Sequence, residues 1–235
     1  MIFFISGVSY GMTPRLPHSM LGLLLALSLP TRAIDPFEIS LETFQSSEMR
    51  DGTHLTGDDG TQYRVDNTSY LKGLSVRKDG EWVPHGRRFL LSGDRLSEHI
   101  TYRRGLRDGA YTRYTVSNGE NVPDTKGQYH NGKKSGVWKR YDGKKLLQKI
   151  PYENGRIHGT LIEYRIHGEH AGTPAVEKEY RHGDLHGPTR RYSANTGNLI
   201  LETVYEHNMK MEQTRYHERS GTILQEVDLR SDTPL

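Results

Sequence analysis

The sequence predicts an all-β fold: an elongated repeat sheet of antiparallel β-hairpins, a solenoid-like meander with atypical caps. Three observations predict it. The pattern Y-x-x-G-x-x-x-G-x-x-x-x-Y occurs four times without gaps, at Tyr102, Gly105, Gly109, Tyr114; Tyr129, Gly132, Gly136, Tyr141; Tyr152, Gly155, Gly159, Tyr164; and Tyr180, Gly183, Gly187, Tyr192. Self-similarity at a near-constant period marks a repeat architecture. Glycine (25 residues) and tyrosine (14) are abundant, while only 33% of residues are hydrophobic. Such a chain suits a thin sheet with many turns better than a thick aliphatic core. Finally, Asn131-Gly132 and Asn154-Gly155 are favoured two-residue hairpin turns, because both central residues must reach positive φ.

In chain order, the first element is an export signal. The apolar run 20–29 has Arg15 upstream, Pro30 behind it and a small-x-small triplet, Thr31-Arg32-Ala33. That arrangement predicts a signal peptide over 1–33, cleaved near Ala33, with the mature chain starting at Ile34. The run is too short for a bilayer-spanning anchor. Residues 1–11 do not fit a signal-peptide n-region, which points to Met12 as the true start. The chain has no cysteine, so it carries no disulfide, thiol nucleophile or acylation site. A periplasmic address is expected.

Residues 34–71 read as an N-terminal cap, with Ile39, Leu41 and Phe44 as a weak alternating strand and Tyr63 and Val65 as a better one. The repeats span 72–229. A divergent copy runs through Asp79-Gly80, Trp82, His85-Gly86 and Phe89. Regular copies start at Tyr102, Tyr129, Tyr152 and Tyr180, and a worn one starts at Tyr205, at intervals of 27, 23, 28 and 25 residues. The stretches 118–127 and 167–174 read as loop insertions. The second glycine of each copy lies inside the outgoing strand, where it marks a bulge or a close backbone approach. Stacking the copies is expected to set both tyrosine columns along one face. Residues 230–235 form a tail.

The residues argue against catalysis. No serine sits in a nucleophile elbow. The acid pairs Asp58-Asp59 and Glu177/Glu179 fall in a turn and on an alternating strand, so no converging catalytic set is legible. Twelve histidines are present, but the repeat position of His158 and His186 holds Asp108 and Ser135 in other copies, and no metal-ligand spacing appears. No enzyme activity, cofactor or metal is expected. The net charge of +3 is too small to argue for nucleic acid. A basic stripe remains: Arg113, Arg140 and Arg191 precede the second tyrosine in three copies, Glu163 interrupts the column, and Lys139 and Arg190 add to it. These five basic residues are the expected binding set, an electropositive surface for an acidic partner. The competing explanation is a solvated face whose charges prevent edge pairing.

The copies resemble the MORN-variant repeat, whose units run Y-x-N-G-[KR]-x-x-G-x-W-x-x-Y-x-x-x-G. Residues 129–141 match nearly throughout, including Trp138. The resemblance covers 72–229. Tryptophan is kept only at Trp138; Tyr111, Leu161 and Thr189 replace it in the other copies. The resemblance implies a bacterial antitoxin or immunity protein. Some exported members protect against phospholipase effectors of type VI secretion in the periplasm. A protein toxin or effector is therefore the expected partner. The alternative is a membrane-surface or scaffold protein that binds phospholipid headgroups, since repeats of this kind are linked to both. No binding residue carries over, because the matched positions build the sheet.

Overall fold

A computed structural model describes residues 34–230. The chain divides into two units, Met1–Arg32 and Ala33–Leu235. The expected signal peptide and residues 231–235 lie outside the described residues. The second unit is one open antiparallel meander. Strands β1 (His54–Thr56) and β2 (Gln62–Asn67) begin the sheet. Each copy then folds as a hairpin: β3 (Leu71–Lys78) with β4 (Glu81–Ser92), β5 (Arg95–Arg103) with β6 (Leu106–Ser117), and β7 (Glu120–His130) with β8 (Lys133–Asp142). There follow β9 (Lys145–Glu153) with β10 (Arg156–Ile157) and β11 (Gly159–Tyr164), β12 (Pro174–Arg181) with β13 (Asp184–Tyr192), β14 (Leu199–Glu206) with β15 (Met209–Tyr216), and finally β16 (Ile223–Asp228). Strands neighbour one another in chain order, except that β10 pairs only with β9.

The turns form as their residues dictate. Asn131 and Gly132 both have left-handed backbone (φ +48° and +81°), as a two-residue hairpin turn requires. Arg104 and His182 take the asparagine's place at φ +45° and +52°, so the weaker turn sequences build the same corner.

The second glycine does more than bend a strand. It lies opposite the first tyrosine of the next copy in all five steps: Gly86↔Tyr102, Gly109↔Tyr129, Gly136↔Tyr152, Gly159↔Tyr180 and Gly187↔Tyr205. At Gly136 the reason for glycine is conformation: φ is +65°, and an added Cβ would meet nothing within 4 Å. There β8 bulges, because Lys126 pairs with Lys139 but Gln128 pairs with Ser135. In the third regular copy the same irregularity separates β10 from β11.

This register decides the faces. The second tyrosine follows the second glycine by five residues, an odd number, so it points the other way. The two tyrosine columns therefore occupy opposite faces, which corrects the expectation of one shared face. Tyr102, Tyr129, Tyr152, Tyr180 and Tyr205 share what we call the aromatic face with the Trp138 position. Tyr114, Tyr141, Tyr164 and Tyr192 lie on the other, the lysine face. Contacts agree: Lys126 sits over the Tyr141 ring, Lys149 over Tyr164, and the Tyr192 hydroxyl donates to Glu177 at 2.9 Å.

Burial follows the tryptophan position. Along the cross-strand row that runs through it, Ile100, Trp138, Leu161 and Thr203 are buried, and Trp138 is 3% exposed. Tyr111 pairs with Gly127, and the Trp138 indole stacks on Tyr111 at 5.2 Å above that glycine. A Cβ on Gly127 would collide with the indole. Tyr129 and Tyr152 close the cluster edge-on, at 5.1 and 6.0 Å from Trp138. The indole N–H donates to the Gln128 carbonyl at 3.1 Å.

Among the described residues, only the N-terminal end has a two-layer core. There Ile39, Phe44 and Met49 pack on Tyr63, Val65, Leu74, Val76 and Phe89, on the lysine face of β2–β4. The expected strand at Ile39, Leu41 and Phe44 is instead irregular chain leading into a 3-10 helix, Glu42–Gln45. Its apolar residues cover a sheet rather than extend one. Gly86 lets this segment dock: a Cβ there would run into the Pro36 carbonyl, which accepts the Arg87 N–H at 2.7 Å. The expected insertion at 118–127 also differs. It lengthens the β6–β7 hairpin around Asn118-Gly119, whereas 167–174 is largely loop as expected.

Gly127→Ala is expected to destabilise the protein by about 1–3 kcal/mol through overpacking, and Trp138→Ala by about 3–5 kcal/mol. Urea denaturation measures both: Gly127→Ala by Trp138 emission in a Trp82→Phe background, and Trp138→Ala by far-ultraviolet circular dichroism. An unchanged midpoint for Gly127→Ala would mean that the indole does not lie over this glycine.

Candidate binding faces

The sheet holds chemistry in rows, because residues directly opposite on neighbouring strands share a face. On the aromatic face, one such row runs Arg113↔Thr125↔Arg140↔Gln148↔Glu163↔Val176↔Arg191↔Leu201↔Arg215. The arginine stripe expected from the sequence is thus a physical row, interrupted at Glu163. Much of it is already satisfied. Arg113 holds Asp124 at 2.9 and 3.0 Å through Nε, Glu163 is bonded by Lys178 at 2.9 Å, and Arg140 donates to Gln148 at 3.1 Å. Arg191 is exposed. Cations also cap the aromatic cluster: Lys134 Nζ lies 4.3 Å from the Trp138 ring centroid and 4.8 Å from that of Tyr152. Burial, and then the Glu98 carboxylate, push the Tyr111 hydroxyl up to about 12.

The other two expected residues do not join this row. Lys139 and Arg190 are sequence neighbours of Arg140 and Arg191, so they point to the lysine face. Their row runs Phe89↔His99↔Thr112↔Lys126↔Lys139↔Lys149↔Ile162↔Glu177↔Arg190↔Glu202. Its C-terminal part is charge-matched: Arg190 Nε donates to Glu202 at 2.6 Å and stands opposite Glu177. Its middle is not. Lys126, Lys139 and Lys149 stand directly opposite one another on three consecutive strands, spanning roughly 10 Å at ordinary strand spacing. Like charges in this relation are destabilising. Among the described residues none of the three has an ion-pair partner. Lys126 and Lys139 are exposed and Lys149 is half-buried. The Tyr141 and Tyr164 rings lie 6.0 and 5.4 Å from Lys126 and Lys149. The residues read from the sequence thus divide between two faces. Lys126 and Lys149, which complete the lysine strip, were missed. Finding them needs the register across the hairpins, since they lie three residues before a first tyrosine and share no repeat position with Lys139.

The remaining candidates have local roles. Asp59 accepts the Thr61 N–H at 2.9 Å as a turn former, and that bond holds its carboxyl below the usual range. An open cleft of about 640 Å³ lies beside it, where Asp35, Asp58 and Asp59 meet His85, Arg103 and Arg104. Tyr63 stacks on His85 at 5.9 Å, with Phe37 edge-on at 5.0 Å. His99 stacks on Phe89 at 5.0 Å.

No known family model matches the sequence, and no curated protein matches it.

Burial holds His85 and His99 below the ordinary histidine range, helped by Arg103 and Arg104 for the first and by Arg87 for the second. In the unfolded chain they regain a pKa of about 6.5. Below that value the unfolded state binds more protons than the folded one, so stability falls as the pH drops. Melting temperature is therefore expected to fall between pH 7.5 and 5.5, and His99→Phe should shrink that fall. The depressed carboxyls titrate below this window, so an unchanged slope in the variant would contradict the assignment.

Proposed function

We propose that the protein is a non-catalytic binding module of the immunity type, which docks an acidic surface of an exported toxic effector and blocks it. The observation that carries this reading is the lysine strip. A row that is charge-matched at Glu177, Arg190 and Glu202 is left unmatched over Lys126, Lys139 and Lys149. Holding three like charges opposite one another costs stability, and an acidic partner would repay it while speeding encounter. The resemblance of the repeats to the MORN-variant unit supplies the class, and the sequence's export signal supplies the compartment, the periplasm. A phospholipase of type VI secretion is the effector type that fits both. Docking over its active site or its membrane-binding surface would suffice, so no catalytic set is needed. Tyrosines beside lysines also suit anionic headgroups, which is the specific feature behind a second reading as a membrane-surface or scaffold protein.

Protection is the test. Cells that export a toxin encoded beside this gene should survive when the wild-type chain is co-exported. Protection should fail with the triple reversal Lys126→Glu, Lys139→Glu, Lys149→Glu, whose Trp138 emission stays native. Full protection by the reversal would contradict the lysine strip as the docking surface. Salt-sensitive sedimentation of the wild type with anionic vesicles, without any protection, would favour the lipid reading.

A further inference from the structure

The hairpin corners along one edge of the sheet bring together side chains that are distant in sequence. Glu153 ends β9, just before the Asn154-Gly155 corner. His158 follows β10, where its N–H donates to the Pro151 carbonyl at 3.1 Å. His182 is the first central residue of the β12–β13 corner, at φ +52°. That corner is fixed to the preceding copy by the Gly183 N–H, which donates to the Ile157 carbonyl at 2.8 Å. The backbone therefore places all three residues whatever else binds there.

Their donor atoms all lie within 4.8 Å of one another. His158 Nδ1 is 3.6 Å from Glu153 Oε2, and the two imidazole rings are 4.7 Å apart. A further contact fixes the chemistry. The His182 backbone N–H donates to His158 Nδ1 at 3.3 Å, so that nitrogen presents a lone pair. The neutral ring then carries its proton on Nε2, and Nδ1 and the Glu153 carboxylate oxygen stand 3.6 Å apart with no proton between them; a cation taken by Nδ1 replaces the long bond from the His182 N–H. Elsewhere along this edge the two positions held by His158 and His182 carry His85 and Arg104, Asp108 and Asn131, Ser135 and Asn154, or His186 and His207. Among the described residues, only the His158 corner adds a carboxylate to two imidazoles in one cluster.

We propose that Glu153, His158 and His182 form a binding site for a borderline divalent cation of the Zn²⁺ class, completed by water. Two imidazole nitrogens and a carboxylate oxygen suit this class at bond lengths of about 2.0–2.2 Å. Tetrahedral donors then stand roughly 3.4 Å apart, close to the present Glu153–His158 separation. Glu153 and His182 are exposed and His158 is half-buried, so small rotamer changes complete the closure. The ion would clip the corners of two successive copies together across the 165–173 loop, the longest irregular connection between repeats. The site lies on the corner edge and does not depend on the reading of the lysine strip.

Isothermal titration of Zn²⁺ into the full, tag-free chain tests the proposal. The expected result is one tight site per chain, with His158→Gln and His182→Gln each weakening it at least about tenfold. His207→Gln should leave it unchanged, as a control for histidine pairs without a carboxylate. Zinc should raise the melting temperature of the wild type and of His207→Gln but not of the two ligand variants. Equal affinity in the wild type and in His158→Gln, or several weak sites that no single variant removes, would overturn it as adventitious binding to the twelve histidines of the chain.

Discussion

Everything in this sheet rests on the pairing of each copy's second glycine with the first tyrosine of the next copy. A sheet buried on one side has its register enforced by the core, because a slip of one residue turns every apolar side chain outward. Beyond β5 this sheet has no second layer among the described residues, so register must be set locally. Corners with two left-handed residues fix each hairpin from one end. The bulge at the second glycine then fixes the step to the following hairpin, and it does so in five successive places. Even where the copy has lost its tryptophan, as at Leu161 and Thr189, the pairings Gly159↔Tyr180 and Gly187↔Tyr205 persist.

Energetics follow from that geometry. With few aliphatic residues to bury, the chain stabilises its sheet across strands. Trp138 bridges three tyrosines over Gly127, and cations seat on the rings around it. Opposite-charge pairs such as Arg190–Glu202 fill other rows. Each pair contributes on the order of 0.2–1 kcal/mol, so stability is spread along the array, as expected of repeat proteins. The N-terminal end is the exception. There Met49, Val65 and Leu74 are fully buried, and Asp66 is held among Arg64, Arg88 and the Ser75 hydroxyl.

The hairpins were legible in the sequence because turn chemistry is local: Asn-Gly announces its corner with no help from distant residues. The faces were not legible, because they depend on parity through a bulge. Five residues from Gly136 to Tyr141 suffice to place the two tyrosine columns on opposite sides, and treating the columns as equivalent overlooks that count. The same parity separates Lys139 from Arg140 and Arg190 from Arg191. Likewise the lysine strip alternates between two columns of the repeat, Lys126 and Lys149 lying three residues before a first tyrosine and Lys139 two before a second, so neither column alone displays it. At the N-terminus, Ile39, Leu41 and Phe44 have spacing that suits a strand, yet they cover β2–β4, because Gly86 gives Pro36 access to the backbone of β4.

A single-layer sheet exposes two independent surfaces for the same length of chain, one aromatic with arginines largely engaged, the other carrying unmatched lysines. That division holds only if the register is right. The most direct check is cross-strand nuclear Overhauser contacts in the isotopically labelled protein. The account predicts backbone contacts for Gly109–Tyr129, Gly136–Tyr152 and Gly187–Tyr205, together with Lys126–Lys139 and Lys139–Lys149. Contacts displaced by one residue, for instance Lys139 to Gln148 or Ile150 in place of Lys149, would exchange the two faces and contradict it.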